Sequence, residues 1–222
     1  MSIVYDANNL PLGSSDLVNA LHQAGYGTLG QVFTSNGDGV KPTFQTGSGA
    51  GSLTFIATAT ASASATVSFA NNLSATYDNY IILIENILSA SASVTHRFQI
   101  GTGAGPTYQA TNYEGFYTKF TSATQITGAG DTTTVYLCTP LKYTTTANLV
   151  GCTMLQLYNC NSATNHKDFT STNFLNDVTS GYTTTICGSA WKDTANAITS
   201  IQFSMSTGNI TSGVYKLYGY KN

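Results

Sequence analysis

Ser62-Ala63-Ser64-Ala65-Thr66-Val67-Ser68-Phe69 and Tyr80-Ile81-Ile82-Leu83-Ile84-Glu85-Asn86-Ile87-Leu88 decide the fold. In the first stretch, Ala63, Ala65, Val67 and Phe69 alternate with hydroxyl residues, the period-2 pattern of a strand with one wet face. The second is apolar on both faces, as a central or doubly covered strand must be. Further strand signals fall at 94–100, 115–120, 133–138, 149–158, 182–191, 198–205 and 213–220. Turn signals divide them, as at Gly101-Thr102-Gly103-Ala104-Gly105-Pro106 and Thr207-Gly208-Asn209. Nine or ten short strands in roughly 170 residues predict an all-β chain whose body, 53–222, is a jelly-roll-like β-sandwich.

Composition supports this class. Charged residues are 8% of the chain, against roughly 25% in an ordinary soluble domain. The 36 Thr and 22 Ser among 222 residues mean that hydroxyls and amides form most of the polar surface. Thr suits pleated, half-buried positions, whereas Ser and Asn suit turns. A net charge of −2 with eight basic residues leaves no electrostatic footprint for nucleic acid. No apolar run reaches the roughly 18 to 20 residues of a membrane-spanning helix, so no membrane insertion is expected. Met1-Ser2-Ile3-Val4-Tyr5-Asp6 lacks the basic and apolar regions of a signal peptide, and the chain is expected to remain in the cytoplasm that makes it.

The first 29 residues hold the one helix candidate. Ser15 or Asp16 can cap it, Leu17, Val18 and Leu21 form a short apolar stripe, and Gly25 ends it. Two or three turns are marginal alone and need a packing partner. Residues 30–52 are Gly-rich and read as a connector. Within them Gln31 to Thr34 and Thr43 to Gln45 are short extended pieces around the turn signal Asn36-Gly37-Asp38-Gly39, and Pro42 keeps the return extended.

Gly30-Gln31-Val32-Phe33-Thr34-Ser35-Asn36-Gly37-Asp38-Gly39-Val40-Lys41-Pro42-Thr43-Phe44-Gln45 resembles the "GQVLTSNG-x-G-x-x-P-x-F/W-Q" module near the front of many tailed-phage tail-fibre and appendage proteins. Asp78 to Ile87 looks like the "YDxYxLxLxNV" strand of phage distal jelly-roll domains, and Ile210 to Tyr220 looks like their final "SGxxxLYGI" strand. Together the likenesses touch about 40 residues. They imply a virion protein assembled in the host cytoplasm, a homotrimer whose N-terminal segment docks on other virion proteins and whose distal sandwich attaches to the host through a surface glycan or protein. Leu17, Val18, Leu21, Val32, Phe33 and Phe44 would make the anchoring and trimer contacts. The alternative is a capsid decoration or head-fibre protein. The likenesses carry no catalytic residue.

The residues themselves offer no chemistry. Cys138, Cys152, Cys160 and Cys187 form no C-x-x-C pair and no zinc spacing with a histidine, and read as reduced core fillers. His22, His96 and His166 are isolated, with no His-x-His, and no metal is expected. No two carboxylates sit in a pattern that forces them together, as a glycosidase would need. Neither Gly-x-Ser-x-Gly nor a phosphate-binding loop occurs, so no enzyme and no cofactor are expected.

The best binding candidate is the aromatic cluster Tyr108, Tyr113, Phe116 and Tyr117 among Gln109, Thr111, Asn112 and Glu114. Rings beside amides and hydroxyls suit sugars, and Tyr108, Asn112, Tyr113 and Tyr117 are the expected receptor contacts, on an exposed loop region spanning 101–117. The competing reading turns the rings into the core, Phe116 first. Trp191 and Tyr182 are expected in the core. A symmetric hairpin at Ser89-Ala90-Ser91-Ala92-Ser93 would place Glu85 opposite Arg97 on one sheet face and Ile84 with Phe98 on the other.

Overall fold

The computed structural model describes residues 31–34, 43–46, 53–121, 125–129, 133–137, 151–177, 181–193 and 195–220. The chain divides into two compact units, residues 1–50 and 51–222. The helix candidate, with Leu17, Val18 and Leu21, lies outside the described residues, as do Cys138 and His22.

In the first unit, β1 (Gln31–Thr34) and β2 (Thr43–Thr46) pair antiparallel, with Val32 opposite Gln45 and Phe33 opposite Phe44. This is the hairpin expected from two extended pieces around Asn-Gly-Asp-Gly. Phe44 is half-buried.

In the second unit, every described element is a strand, and all pairing is antiparallel. In chain order come β3 (Thr54–Ser64), β4 (Thr66–Phe69), β5 (Asn79–Ser89), β6 (His96–Thr102), β7 (Thr107–Tyr108), β8 (Tyr113–Phe120) and β9 (Gln125–Ala129). They are followed by β10 (Val135–Tyr136), β11 (Gly151–Tyr158), β12 (Lys167–Asp177), β13 (Gly181–Trp191), β14 (Ser200–Met205) and β15 (Ile210–Tyr220). One sheet begins β3-β15-β5-β11, and the other runs β10-β6-β14-β4. Numbered within that set along the chain, the first sheet reads first, eighth, third, sixth. The second reads fifth, fourth, seventh, second. This is the strand order of a jelly roll, two Greek keys folded over one core. Beyond β11 the larger sheet continues β12-β13-β8-β9, and β7 folds back on β6.

The core is a slab of rings and branched side chains. Phe98 and Phe203 of the smaller sheet meet Phe169 and Tyr215 of the larger, with ring centroids 5.3 Å apart for Phe98–Phe169 and 4.9 Å for Phe203–Tyr215. All four are at most 1% exposed, and each contributes roughly 1.5 to 3 kcal/mol by burial. Tyr80, Ile82, Ile84 and Ile87 enter the same core from β5, which is central as expected between β15 and β11. Asn86 takes a left-handed φ of 55°, and the pairing of β5 is irregular here, so inward positions shift from even to odd numbers.

Three expectations are corrected. Ser62–Phe69 is not one strand. Ala63 adopts φ 50°, Ala65 is exposed, and the chain turns a corner, so β3 pairs with β15 in the larger sheet while β4 pairs with β14 in the smaller. Glu85 does not face Arg97, because Ser89 to Val94 crosses between sheets instead of closing a hairpin. Glu85 instead holds Lys216 Nζ at 3.0 Å. Arg97 lies opposite Ser204 and Tyr136, and Ile84 and Phe98 enter the one core from opposite sheets. Cys152 is exposed, whereas Cys160 and Cys187 are buried free thiols as expected. Burial pushes both thiols up, that of Cys187 to about 11, so neither is a ready nucleophile.

β12 went unread in the sequence because its inward residues include Lys167, Ser171 and Asn173. Ser171, Asn173 and Cys187 all donate to the Leu137 carbonyl, which ties β12 and β13 to the segment entering from β10. Asn173 Oδ1 also accepts from the Thr153 hydroxyl at 2.6 Å. The outer face of the larger sheet is where Phe55, Phe116, Phe120, Met154, Phe174 and Ile186 stand exposed.

Candidate functional site

The candidate site is a groove of about 690 Å³ on the outer face of the larger sheet, lined by Glu114, Phe116, His166, Asp168, Thr170, Gly188, Ala190 and Lys192. Its floor follows from what lies beneath. Lys167, Trp191 and Tyr113 are partners in register across β12, β13 and β8, and all three point into the core. Alternation then turns their neighbours outward, so Asp168, Ala190 and Glu114 form one row on the wet face. The next row is Thr170, Gly188 and Phe116.

Each anchor is fixed by a specific contact. Tyr113 is 2% exposed, and its hydroxyl accepts from Ile100 N at 2.9 Å and donates to Gln109 O at 3.3 Å. Burial pushes that hydroxyl well above its ordinary range. Lys167 is fully buried, with Nζ donating to Asp193 O at 3.0 Å and lying 5.6 Å from the Trp191 ring centre. Burial lowers its pKa, opposed by nearby Asp193 and Cys160. The Asp193 carboxylate in turn accepts from Ala195 N at 2.7 Å and Asn196 Nδ2 at 3.1 Å, fixing the chain where it leaves the groove.

At one end Lys192 Nζ lies 3.0 Å from Glu114 Oε2. The Lys192 backbone N–H donates to Asn112 O at 2.9 Å, and Asn112 takes φ 67° to make that bend. Along the floor, Gly188 faces Phe116. A Cβ at Gly188 would come within 2.9 Å of the Phe116 Cζ, so the far end of the ring overlies bare backbone. The ring is nevertheless 67% exposed. Such a cross-strand ring shields glycine backbone from water, and it leaves most of the aromatic surface facing solvent. Asp168 accepts from Asn159 Nδ2 at 3.5 Å.

The expected receptor residues separate. Tyr113 is a core residue and cannot offer its ring to a partner, which corrects its placement on an exposed loop. Burial also reverses the expectation for Phe116, which faces out. The region 101–117 is not one loop: it contains β7, a turn with Gly103 at φ 80°, and the start of β8. Tyr108 is half-buried on β7, opposite Gly101. Tyr117 is half-buried on the same face as Tyr113, over Gly128. Asn112 is exposed at the groove's end. Of the anchoring set, Val32, Phe33 and Phe44 sit on the β1–β2 hairpin. Trp191 is in the core as expected, and the Tyr182 side chain lies outside the described residues. Thr170, Ala190 and Lys192 were not picked out in the sequence, where His166 read as isolated and Asp168 as a carboxylate without a partner.

The register brings Glu114 and Asp168 onto one row two strands apart, where the sequence suggested no carboxylate pair. Both are exposed, and Glu114 is engaged by Lys192. Among the described residues no three His, Cys, Asp or Glu side chains form a metal site. No helix among them is long and apolar enough to cross a membrane. His96 is buried, with Nε2 3.1 Å from the Tyr215 hydroxyl, and His166 is exposed.

No family model matches this chain, and neither the comparison with curated proteins nor that with solved structures yields a match.

Proposed function

We propose that the chain is a non-enzymatic structural protein of a tailed-phage particle, a trimeric tail fibre or appendage whose jelly roll makes contact with the host. The observation that carries this reading is the conjunction of two features. The Gly30–Gln45 motif resembles a phage appendage connector and covers all but the last residue of the β1–β2 hairpin, and the body that follows it in the chain is a jelly roll. The near absence of charge, 8% of residues, suits an adhesive surface that works through shape and hydrogen bonds. Weak single contacts of this kind gain from threefold display, which can raise avidity by roughly 10² to 10⁴.

Immunogold labelling of intact particles with an antibody to this chain tests the proposal. Gold at the tail tip or on fibres is the expected result. Gold confined to the head overturns attachment in favour of capsid decoration, and unlabelled particles overturn the virion assignment.

A further inference from the structure

We infer that the groove between Phe116 and Asp168 is a binding site for a neutral saccharide chain, an inference that takes its biological use from the attachment reading above. Three features converge. The Phe116 ring is 67% exposed although it sits mid-strand in a sheet, with its far end over Gly188. The negative face of such a ring attracts the polarised C–H bonds of a pyranose. Lining the same groove are Asp168, Thr170 and His166, whose side chains can accept and donate hydrogen bonds to hydroxyl groups.

The floor decides the shape of the ligand. The Phe116 ring lies over Gly188 and Ala190 adds only a methyl group beside it, so the floor stays low, and the groove's volume of about 690 Å³ lies within the range of roughly 300 to 1,000 Å³ typical of small-molecule sites. Electrostatics decides the charge class. Glu114 is matched by Lys192 at 3.0 Å, so the Asp168 carboxylate is the unmatched charge among the lining residues. An acidic saccharide would meet it at close range and be disfavoured. The site binds and does not cut. Hydrolysis would need a pair of carboxyl groups, one protonating the leaving oxygen and one acting on the other side of the bond, and of the two lining this groove Glu114 is engaged by Lys192.

A saccharide array carrying neutral, N-acetylated and acidic bacterial oligosaccharides, probed with the full-length protein, tests the inference. Retention of uncharged oligosaccharides, uncleaved, is expected, with at least tenfold weaker binding for Phe116→Ala at an unchanged melting temperature. Asp168→Asn should weaken the same ligands several-fold, and Tyr108→Ala should leave them unchanged. Should Phe116→Ala fold poorly, Gly188→Ala serves instead, because its new Cβ displaces the far end of the ring. No retention, preference for acidic saccharides, cleavage, or full binding by a folded variant without the ring would overturn it. Competition separates the two readings. Soluble protein that blocks phage adsorption but retains no saccharide removes this site and keeps attachment. Saccharide binding without competition keeps the site and removes attachment.

Discussion

The Tyr215 hydroxyl lies 3.1 Å from Nε2 of His96, in the middle of the jelly roll. The imidazole is also packed against Phe203, with ring centres 5.8 Å apart. Burial holds the His96 pKa at about 3, against its ordinary 6.5. The folded chain therefore keeps the ring neutral at pH values where the unfolded chain protonates it. This contribution to stability is complete above pH 6.5 and is lost as the pH falls from there toward 3. Linkage puts the loss between pH 7 and pH 5 at about 2 kcal/mol. Urea unfolding of the wild type and of His96→Gln at both pH values checks it. The variant, which keeps a hydrogen-bonding group for Tyr215, should show a flatter response. Equal slopes would mean that His96 is not the acid-sensitive group.

Asn173 is predicted to be costly to remove. Its Oδ1 accepts from Thr153 at 2.6 Å, and its Nδ2 donates to the carbonyls of Leu137 and Thr185, the latter at 3.3 Å. Asn173→Ala leaves several buried polar groups without that partner, so a loss of roughly 2 to 3 kcal/mol is expected by chemical denaturation. A change below about 0.5 kcal/mol would show that neighbouring hydroxyls close the network unaided.

Asn173 also explains what could be read in advance. Tyr80–Leu88 was legible because a central strand is apolar along most of its length, with its inward residues buried and Ile81, Leu83 and Leu88 half-buried on the other side. β12 was not, because a hydrogen-bond network fills its inner face, and Lys167, Ser171 and Asn173 look like surface residues in isolation. The groove was half legible. The cluster around Phe116 and Glu114 was recognised, but rings at Tyr113 and Phe116 fit either face of β8, and only the sandwich decides which turns in. Asp168 reaches the groove through a register across β13, and no local pattern carries that information. The Glu85–Arg97 pairing failed for the same reason. A five-residue link can close a hairpin or cross between sheets, and the Lys216 that claims Glu85 arrives from the last strand.

Ala63 sits at the corner between β3 and β4 with φ 50°. An L-residue with a Cβ pays roughly 1 to 2 kcal/mol in that region, whereas glycine does not. Glycine also gives back part of the gain through greater freedom in the unfolded chain, roughly 0.4 to 1 kcal/mol. Ala63→Gly is therefore expected to raise stability by roughly 0.5 to 1 kcal/mol, and Ala63→Val, bulkier at the same φ, to lower it. Paired thermal melts of the three proteins decide the matter, and destabilisation by glycine would refute the corner strain.

The chain is expected to sediment at about three times its own mass of 23.4 kDa. The reasoning starts from side chains that need a partner. Leu17, Val18 and Leu21 read in the sequence as an apolar stripe too small for a lone helix, and Val32, Phe33 and Phe44 fall in the stretch read there as a connector. Each would forgo roughly 1.5 to 3 kcal/mol if left in water. A competing surface exists, because Met154, Phe174 and Ile186 are exposed on the outer face of the larger sheet. Replacing Leu17, Val18 and Leu21 together with Ser should dissociate the assembly, while Met154→Ser with Phe174→Ser should leave it intact. The opposite pattern would move the association surface to the sandwich. Sedimentation of the unaltered chain near a single mass at micromolar concentration would end the threefold reading altogether.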